Sequence, residues 1–286
     1  MCGRWACSRQ QLTAASWSGD ATSCAAGKVD EEARERALRL VNAYRFLAGV
    51  HEVEAEPRWE EPAQQCALIA HANRRLSHTP PRDWSCWSDP GARASAVSLI
   101  ANRSAPLAVD PFIEDPGNET TMAHRRWLLS EKIHRVALGS TTGYCCALVD
   151  GRQFDQRGAE GEPVTPAPDP EGAGDEVTAR TAPRDWVAWP PPGPVPIDAL
   201  RKTKIDATGW TVQSSNLDLD GAMVDVKVAG ARRRVKVFGL ERTLGSLTAI
   251  RFVPDGWSTE VGERYDVRVR KPGFAIEYAV EPIRCP

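Results

Sequence analysis

Arg75-Leu-Ser-His-Thr-Pro80 and Met122-Ala-His-Arg-Arg-Trp-Leu-Leu129 decide how this chain is read. Each sets one histidine at the edge of a helical segment. Upstream of the first, Ala63, Cys66, Ala67, Ala70, His71 and Arg74 share one helical face, which predicts a helix over 60–76 started by Glu60, Glu61 and Pro62. Pro80 and Pro81 forbid its continuation, so His78 falls just past its end. Before that, Ala37, Leu40, Val41, Tyr44 and Ala48 repeat at i, i+3, i+4, i+7 and i+11 and predict a helix over 30–48. Asp30, Glu31 and Glu32 occupy its first turn, where carboxylates favour the positive end of the helix dipole, and Gly49 ends it. The second phrase opens a helix over 124–130, with Thr120 or Thr121 as its cap.

Between the two phrases, 82–121 is loop-rich, with one short helix expected at 92–101. After them, 136–138 and 144–149 read as paired strands around Ser140-Thr-Thr-Gly143, and Asp150-Gly151 marks a second hairpin towards Gln153-Phe154. Helices followed by an antiparallel meander define an α+β domain.

Composition limits the function classes. A length of 286 residues suits two domains better than one. A formal net charge of −2 with 26% charged residues argues against nucleic acid or an anionic membrane surface as partner. No apolar run reaches the length of a transmembrane segment, and Met1-Cys-Gly-Arg-Trp5 lacks the apolar core of a secretory signal, so export requires a signal already removed. Eight cysteines, with no C-x-x-C pair, fit disulfides formed in an oxidising compartment; Cys66, on the apolar face of its helix, is the leading candidate for a buried free thiol.

The domain organisation follows from shifts in pattern. Residues 1–28 form an irregular cysteine-bearing arm, 29–157 the α+β domain, and 158–196 a Pro/Gly-rich linker closed by Pro190-Pro-Pro-Gly-Pro-Val-Pro196. From 197 to 286 the period becomes two, in Met223-Val224-Val226-Val228, Val235-Val237-Phe238, Leu247-Ile250-Phe252, Tyr265-Val267-Val269 and Phe274-Ile276-Tyr278-Val280. Six or seven short strands at this spacing predict a β-sandwich.

The order of these phrases, with Asn42-Ala-Tyr-Arg45 and Val136-Ala-Leu-Gly139, resembles the CAP superfamily (cysteine-rich secretory, antigen 5 and pathogenesis-related proteins) over about residues 30–155. The tail, with Trp189-Pro-Pro-Pro-Gly193 ahead of the strands, resembles the immunoglobulin-like module of some bacterial relatives. The resemblance implies a CAP-type α-β-α sandwich followed by an all-β immunoglobulin-like sandwich. It also implies a cleft in which two histidines and two glutamates face one another, sometimes around a divalent metal.

His78 and His124 stand at the histidine places. Ser98, in Val97-Ser-Leu-Ile-Ala101, stands where one glutamate is expected. Asp115, beside Glu114 in Phe112-Ile-Glu-Asp115, stands near the other. At most one carboxylate survives, with a shorter reach. His78 and His124 with Asp115 would offer Zn²⁺ an open site, and a serine hydroxyl is a poor substitute for a charged oxygen ligand.

The reading is therefore a secreted or envelope-associated, non-enzymatic protein that binds a lipid, a glycan or a protein partner at the cell surface. The alternatives are a metal-assisted or protease-like hydrolase using His78, His124 and Asp115, and an adhesive surface protein with a vestigial cleft. No Gly-x-Ser-x-Gly elbow marks a serine nucleophile. His71 reads as a satisfied core histidine. Trp127 reads as core, and one of Arg125 and Arg126 as a brace for a cleft carboxylate.

Overall fold

The computed structural model describes residues 1–156 and 184–286; most of the expected 158–196 linker lies outside the described residues. The first half is a three-layer unit. Its sheet has the order β1-β3-β4-β2, from Glu54–Ala55 (β1), Ser98–Ala101 (β2), Arg135–Ser140 (β3) and Cys145–Leu148 (β4). One layer holds Cys2–Ser8 (α1), Glu31–Ala48 (α2) and Ala105–Glu114 (α5). The other holds Pro57–Asn73 (α3) and Asp89–Ala96 (α4).

Alternation along the strands assigns side chains to the layers, as the two-residue period of a strand requires. Val136 and Leu138 join the α2–α5 core, while Ala137 joins the α3–α4 core. Gly139 shares Ala137's face and admits α3, because a Cβ there would lie 2.0 Å from the Ala63 carbonyl oxygen. The helix α2 carries the expected caps: Asp30 accepts the Ala33 N–H, and Gly49 closes the other end at φ 78°. Ala123–Leu128 (α6) and Gly151–Gln156 (α7) complete the unit.

The second half packs two sheets, β10-β11-β7-β5 and β6-β13-β12-β8-β9. Their strands are Val187–Trp189 (β5), Gly193–Pro196 (β6), Trp210–Ser214 (β7), Met223–Val228 (β8), Ala231–Arg233 (β9), Val235–Gly239 (β10), Thr248–Pro254 (β11), Tyr265–Lys271 (β12) and Phe274–Ile283 (β13). Ile197–Leu200 (α8) and Lys202–Thr208 (α9) lie between β6 and β7. Trp210 of one sheet meets Tyr265 of the other at 5.5 Å between ring centres.

The two halves are bolted together. Arg125 donates to the Gly209 carbonyl (2.7 Å) and the Thr208 hydroxyl (3.0 Å), and Arg126 to the Ser246 hydroxyl (3.1 Å). Gln213 donates to the Arg126 carbonyl (3.1 Å), and Tyr44 of α2 packs edge-on against Trp189 of β5. Burial pushes both the Arg125 and Arg126 guanidinium groups down to about 10. They hold carbonyls at the junction rather than bracing a carboxylate with their side chains. Trp127, half-buried, packs against the main core.

Several expectations are corrected. Cys66 is not a free thiol: it bonds Cys146, because the inner face of α3 is where β4 presents its sulfur. Cys2–Cys285 and Cys24–Cys86 are the other disulfides, and Cys7 and Cys145 are free. The N-terminal arm begins with a helix, and α3 starts a turn before Glu60. The 92–101 segment divides into the end of α4 and strand β2, and α5 emerges from the expected loop. The N-cap of α6 is the left-handed Met122 rather than Thr120 or Thr121, though the Thr121 hydroxyl accepts the Ala123 N–H (3.3 Å) from just outside. Asp150-Gly151 starts α7 rather than a hairpin, and Val187–Trp189 and Gly193–Pro196 are strands rather than linker.

His51 and His134 stack on each other at 4.2 Å between ring centres. Burial, then Arg45 and His134, pull His51 down to about 4, against the Ile133 carbonyl bond that favours its charged form. Between pH 6.5 and 4 the unfolded chain therefore binds a proton that the folded chain refuses, so stability is full above 6.5 and falls with pH through this window. Thermal melts at pH 7.5 and 4.5 are expected to show a larger loss for wild type than for His51→Gln, on the order of 1 kcal/mol after allowance for solvent screening. Equal losses would remove His51 as the cause.

Candidate functional site

One of the structure's clefts, with a volume of about 690 Å³, lies between α5, strand β2, the 76 region and helix α9 of the second half. Helix α5 is built to stop at its mouth. Pro116 disfavours helix at the residue before it, and Asp115 takes the left-handed C-cap conformation at φ 57°. The chain then turns through Asn118 into α6, which places His124 over Asp115.

Asp115 is fully buried, accepts from two donors and lies against His124. Its Oδ1 lies 2.9 Å from His124 Nδ1 and accepts from Asn118 Nδ2 at 2.7 Å; its Oδ2 accepts the Arg125 N–H at 3.2 Å. His124 Nδ1 is engaged both by Asp115 Oδ1 and by Asn118 Nδ2 (3.0 Å), so Nε2 is the nitrogen left for a ligand. The ring also packs on Phe112, 5.1 Å between centres, so its orientation is fixed from two sides.

His124 lines this cleft, and so does Glu114; His78 does not. His78 is exposed, with Nδ1 2.8 Å from the Ser95 carbonyl oxygen. Ser98 is buried in β2 opposite Leu148, and its hydroxyl has no hydrogen-bond partner. Glu114 is ion-paired with Arg201; burial raises its carboxyl above the usual range, with Arg201 opposing. The structure thus joins His124 to Asp115, leaves Glu114 beside them, and sets His78 and Ser98 apart.

This donor set does not fit a divalent metal. Among the described residues no three His, Cys, Asp or Glu side chains converge as ligands. His124 Nε2 is free, but His78 stands outside the cleft and Asp115 already accepts from Asn118 and from the Arg125 N–H. No serine hydroxyl hydrogen-bonds His124 among the described residues, so a serine nucleophile is not assembled there either.

The remaining walls were not apparent in sequence. Leu12, Leu76, Ile100, Leu107 and Phe112 supply apolar surface, with Leu76 39% and Leu107 37% exposed. Arg9, Arg103, Arg201 and Lys204 face two carboxylates, Asp110 and Glu114. Asp110 accepts from Tyr44 (2.7 Å), Arg9 (2.6 Å) and Arg201 (3.3 Å), so Arg9 and Arg201 are compensated. Arg103 and Lys204 are exposed and have no salt-bridge partner among the described residues.

Residues 38–149 match the family described as CAP, cysteine-rich secretory protein family. The three-layer unit of this protein is a CAP domain. Comparison with curated proteins and with solved structures finds no match.

Proposed function

We propose that this protein is a secreted or envelope-associated, non-enzymatic binding protein whose cleft takes an anionic amphiphile, of the class of long-chain acyl carboxylates and phosphates. The observation that carries the reading is the cleft's composition: exposed leucines on its wall together with two exposed cations at its rim, Arg103 and Lys204, that form no salt bridge among the described residues. A pocket of this size with apolar walls and a few polar groups suits a small ligand. Three disulfides fit an oxidising compartment, and no described helix is long and apolar enough to cross a membrane. We read the C-terminal sandwich as an immunoglobulin-like module that supplies one wall through α9.

Displacement of a fluorescent fatty acid by dodecyl phosphate tests this. Dodecyl phosphate is expected to compete, and neutral dodecanol to compete about fivefold less well, since one salt-screened charge contact is worth about 1 kcal/mol. Leu107→Asp should abolish competition, and Arg103→Glu should remove the preference for phosphate over alcohol. Equal competition by both amphiphiles, or by neither, would sink the reading.

The Asp115–His124 pair favours a second reading, a hydrolase in which His124 Nε2 draws a proton from water. It predicts ester hydrolysis that His124→Gln eliminates; unchanged turnover in that variant would exclude it.

A further inference from the structure

A second groove, of about 490 Å³, opens beside α3 and the chain leading into α4, and shares no lining residue with the cleft. That chain makes two successive turns. The Trp84 backbone N–H donates to the Pro81 carbonyl and the Trp87 backbone N–H to the Trp84 carbonyl, both at 3.1 Å. Trp84 and Trp87, each half-buried, thereby line the same groove. Gln65 of α3 and Ser88, the N-cap of α4, line it as well.

The loop is ordered before any ligand arrives, so binding does not have to supply that ordering. Asn73 accepts the Ser85 N–H (3.1 Å) and donates to the Ser85 carbonyl (2.9 Å), and Cys86 is bonded to Cys24. The Trp87 indole N–H donates to the Pro80 carbonyl (3.1 Å). The Trp84 indole N–H has no acceptor among the described residues, although this group can only donate. Gln65 accepts from the Ser88 hydroxyl (2.7 Å) and spends one amide N–H on Glu61 (3.1 Å), which leaves its second N–H unused.

Charge at the groove is one-sided. Arg82 lines it, with its guanidinium 5.2 Å from the Trp87 ring centre, and Arg75 stands 5.6 Å from the Trp84 ring centre. Both arginines are exposed and form no salt bridge among the described residues. No carboxylate lines the groove; Asp83 and Glu61 are exposed and outside its walls.

We propose that this groove binds an acidic sugar, one uronate residue of a polysaccharide. The indoles offer apolar surface to the C–H face of a sugar ring, and the spare N–H groups of Trp84 and Gln65 suit its hydroxyls. Arg82 supplies the partner for the carboxylate. An aliphatic chain would cover those donors without accepting from them, which is unfavourable. An acidic peptide would satisfy Arg82 but offers no ring for the indoles.

Indole N–H NMR spectra of the full chain, titrated with tetragalacturonate, test this. Trp84→Phe, which keeps a ring and deletes the N–H, identifies the Trp84 signal among the ten tryptophans. At the per-atom efficiency of ordinary ligands, one sugar residue supports a Kd on the order of 1 mM. The Trp84 signal is expected to shift and to saturate at that affinity. The fully methyl-esterified tetramer should bind about fivefold less well, the value of one salt-screened ion pair. Arg82→Gln should abolish that difference without lowering the melting temperature. A Trp84 signal unmoved at about 10 mM tetramer would overturn the proposal, as would equal binding of acid and ester. So would an Arg82→Gln variant that keeps the preference, or hexaglutamate binding as tightly as the uronate, since charge alone would then select the ligand.

Discussion

Replacing Arg45 with alanine is expected to cost about 3–5 kcal/mol of stability, the range for removing one partner from a buried charged network. Arg45 projects from α2 with no exposed surface and donates to four carbonyls: His51 (2.7 Å), Leu128 (2.7 Å), Ser130 (3.0 Å) and Ile133 (3.2 Å). These belong to the loop after α2 and the chain between α6 and β3, which His51 also links through the Ile133 carbonyl (2.9 Å). Burial pushes the guanidinium down to about 9, with Glu131 opposing, so it remains a cation at neutral pH. Truncation strands four buried oxygens and opens a cavity. Arg45→Lys should recover less than half of the loss, because a single ammonium cannot span the same fork. Urea denaturation measures both; a cost below about 1 kcal/mol for alanine would contradict the bracing role.

The second large effect concerns the Cys2–Cys285 disulfide, whose cysteines are 283 residues apart. It closes nearly the entire chain into a ring in the unfolded state. In the chain-entropy picture a loop of this length is worth about 5 kcal/mol. The folded state should change little when the bond is removed. Trp5 of α1 still packs edge-on against Tyr44, and Arg9 still reaches Asp110 at 2.6 Å. The double variant Cys2→Ser, Cys285→Ser is therefore expected to unfold at a markedly lower urea concentration, with a steeper dependence on urea because its unfolded chain is more expanded. A native-like midpoint would mean that the bond acts on neither state.

What could be read from sequence was governed by local pattern. The period and caps of α2 lie within one segment, and so did the Met122–Leu129 phrase that places His124. Failures arose where a residue's reason was a distant neighbour. Gly151 reads as a turn residue, yet it is glycine because the Trp59 ring leaves no room: a Cβ would lie 1.7 Å from it. Pro194 and Pro196 suggest a linker, but β6 is an edge strand, where missing N–H donors are tolerated. Cys66 looked inert for being on the apolar face, and that face is where Cys146 waits.

The candidate site divides in the same way. Asp115 and His124 are nine residues apart and could be paired by eye. Asn118, which completes their arrangement, lies between them and gave no signal of its own. The cationic rim joins Arg103 to Lys204, about a hundred residues further along and beyond the Pro/Gly-rich stretch. Only packing of α9 against α5 creates it. This rim, rather than the histidine pair from which the reading began, is what distinguishes the cleft chemically.

The most direct test is a histidine-labelled NMR titration of the full chain with dodecyl phosphate. Five histidines give five resolvable ring signals. The proposed binding mode predicts that His124 shifts with saturation at a single affinity, while the stacked pair His51 and His134 stays still, and that Leu107→Asp abolishes the shift. A His124 signal unmoved at saturating amphiphile, or all five histidines drifting together without saturation, would contradict the cleft as the binding site.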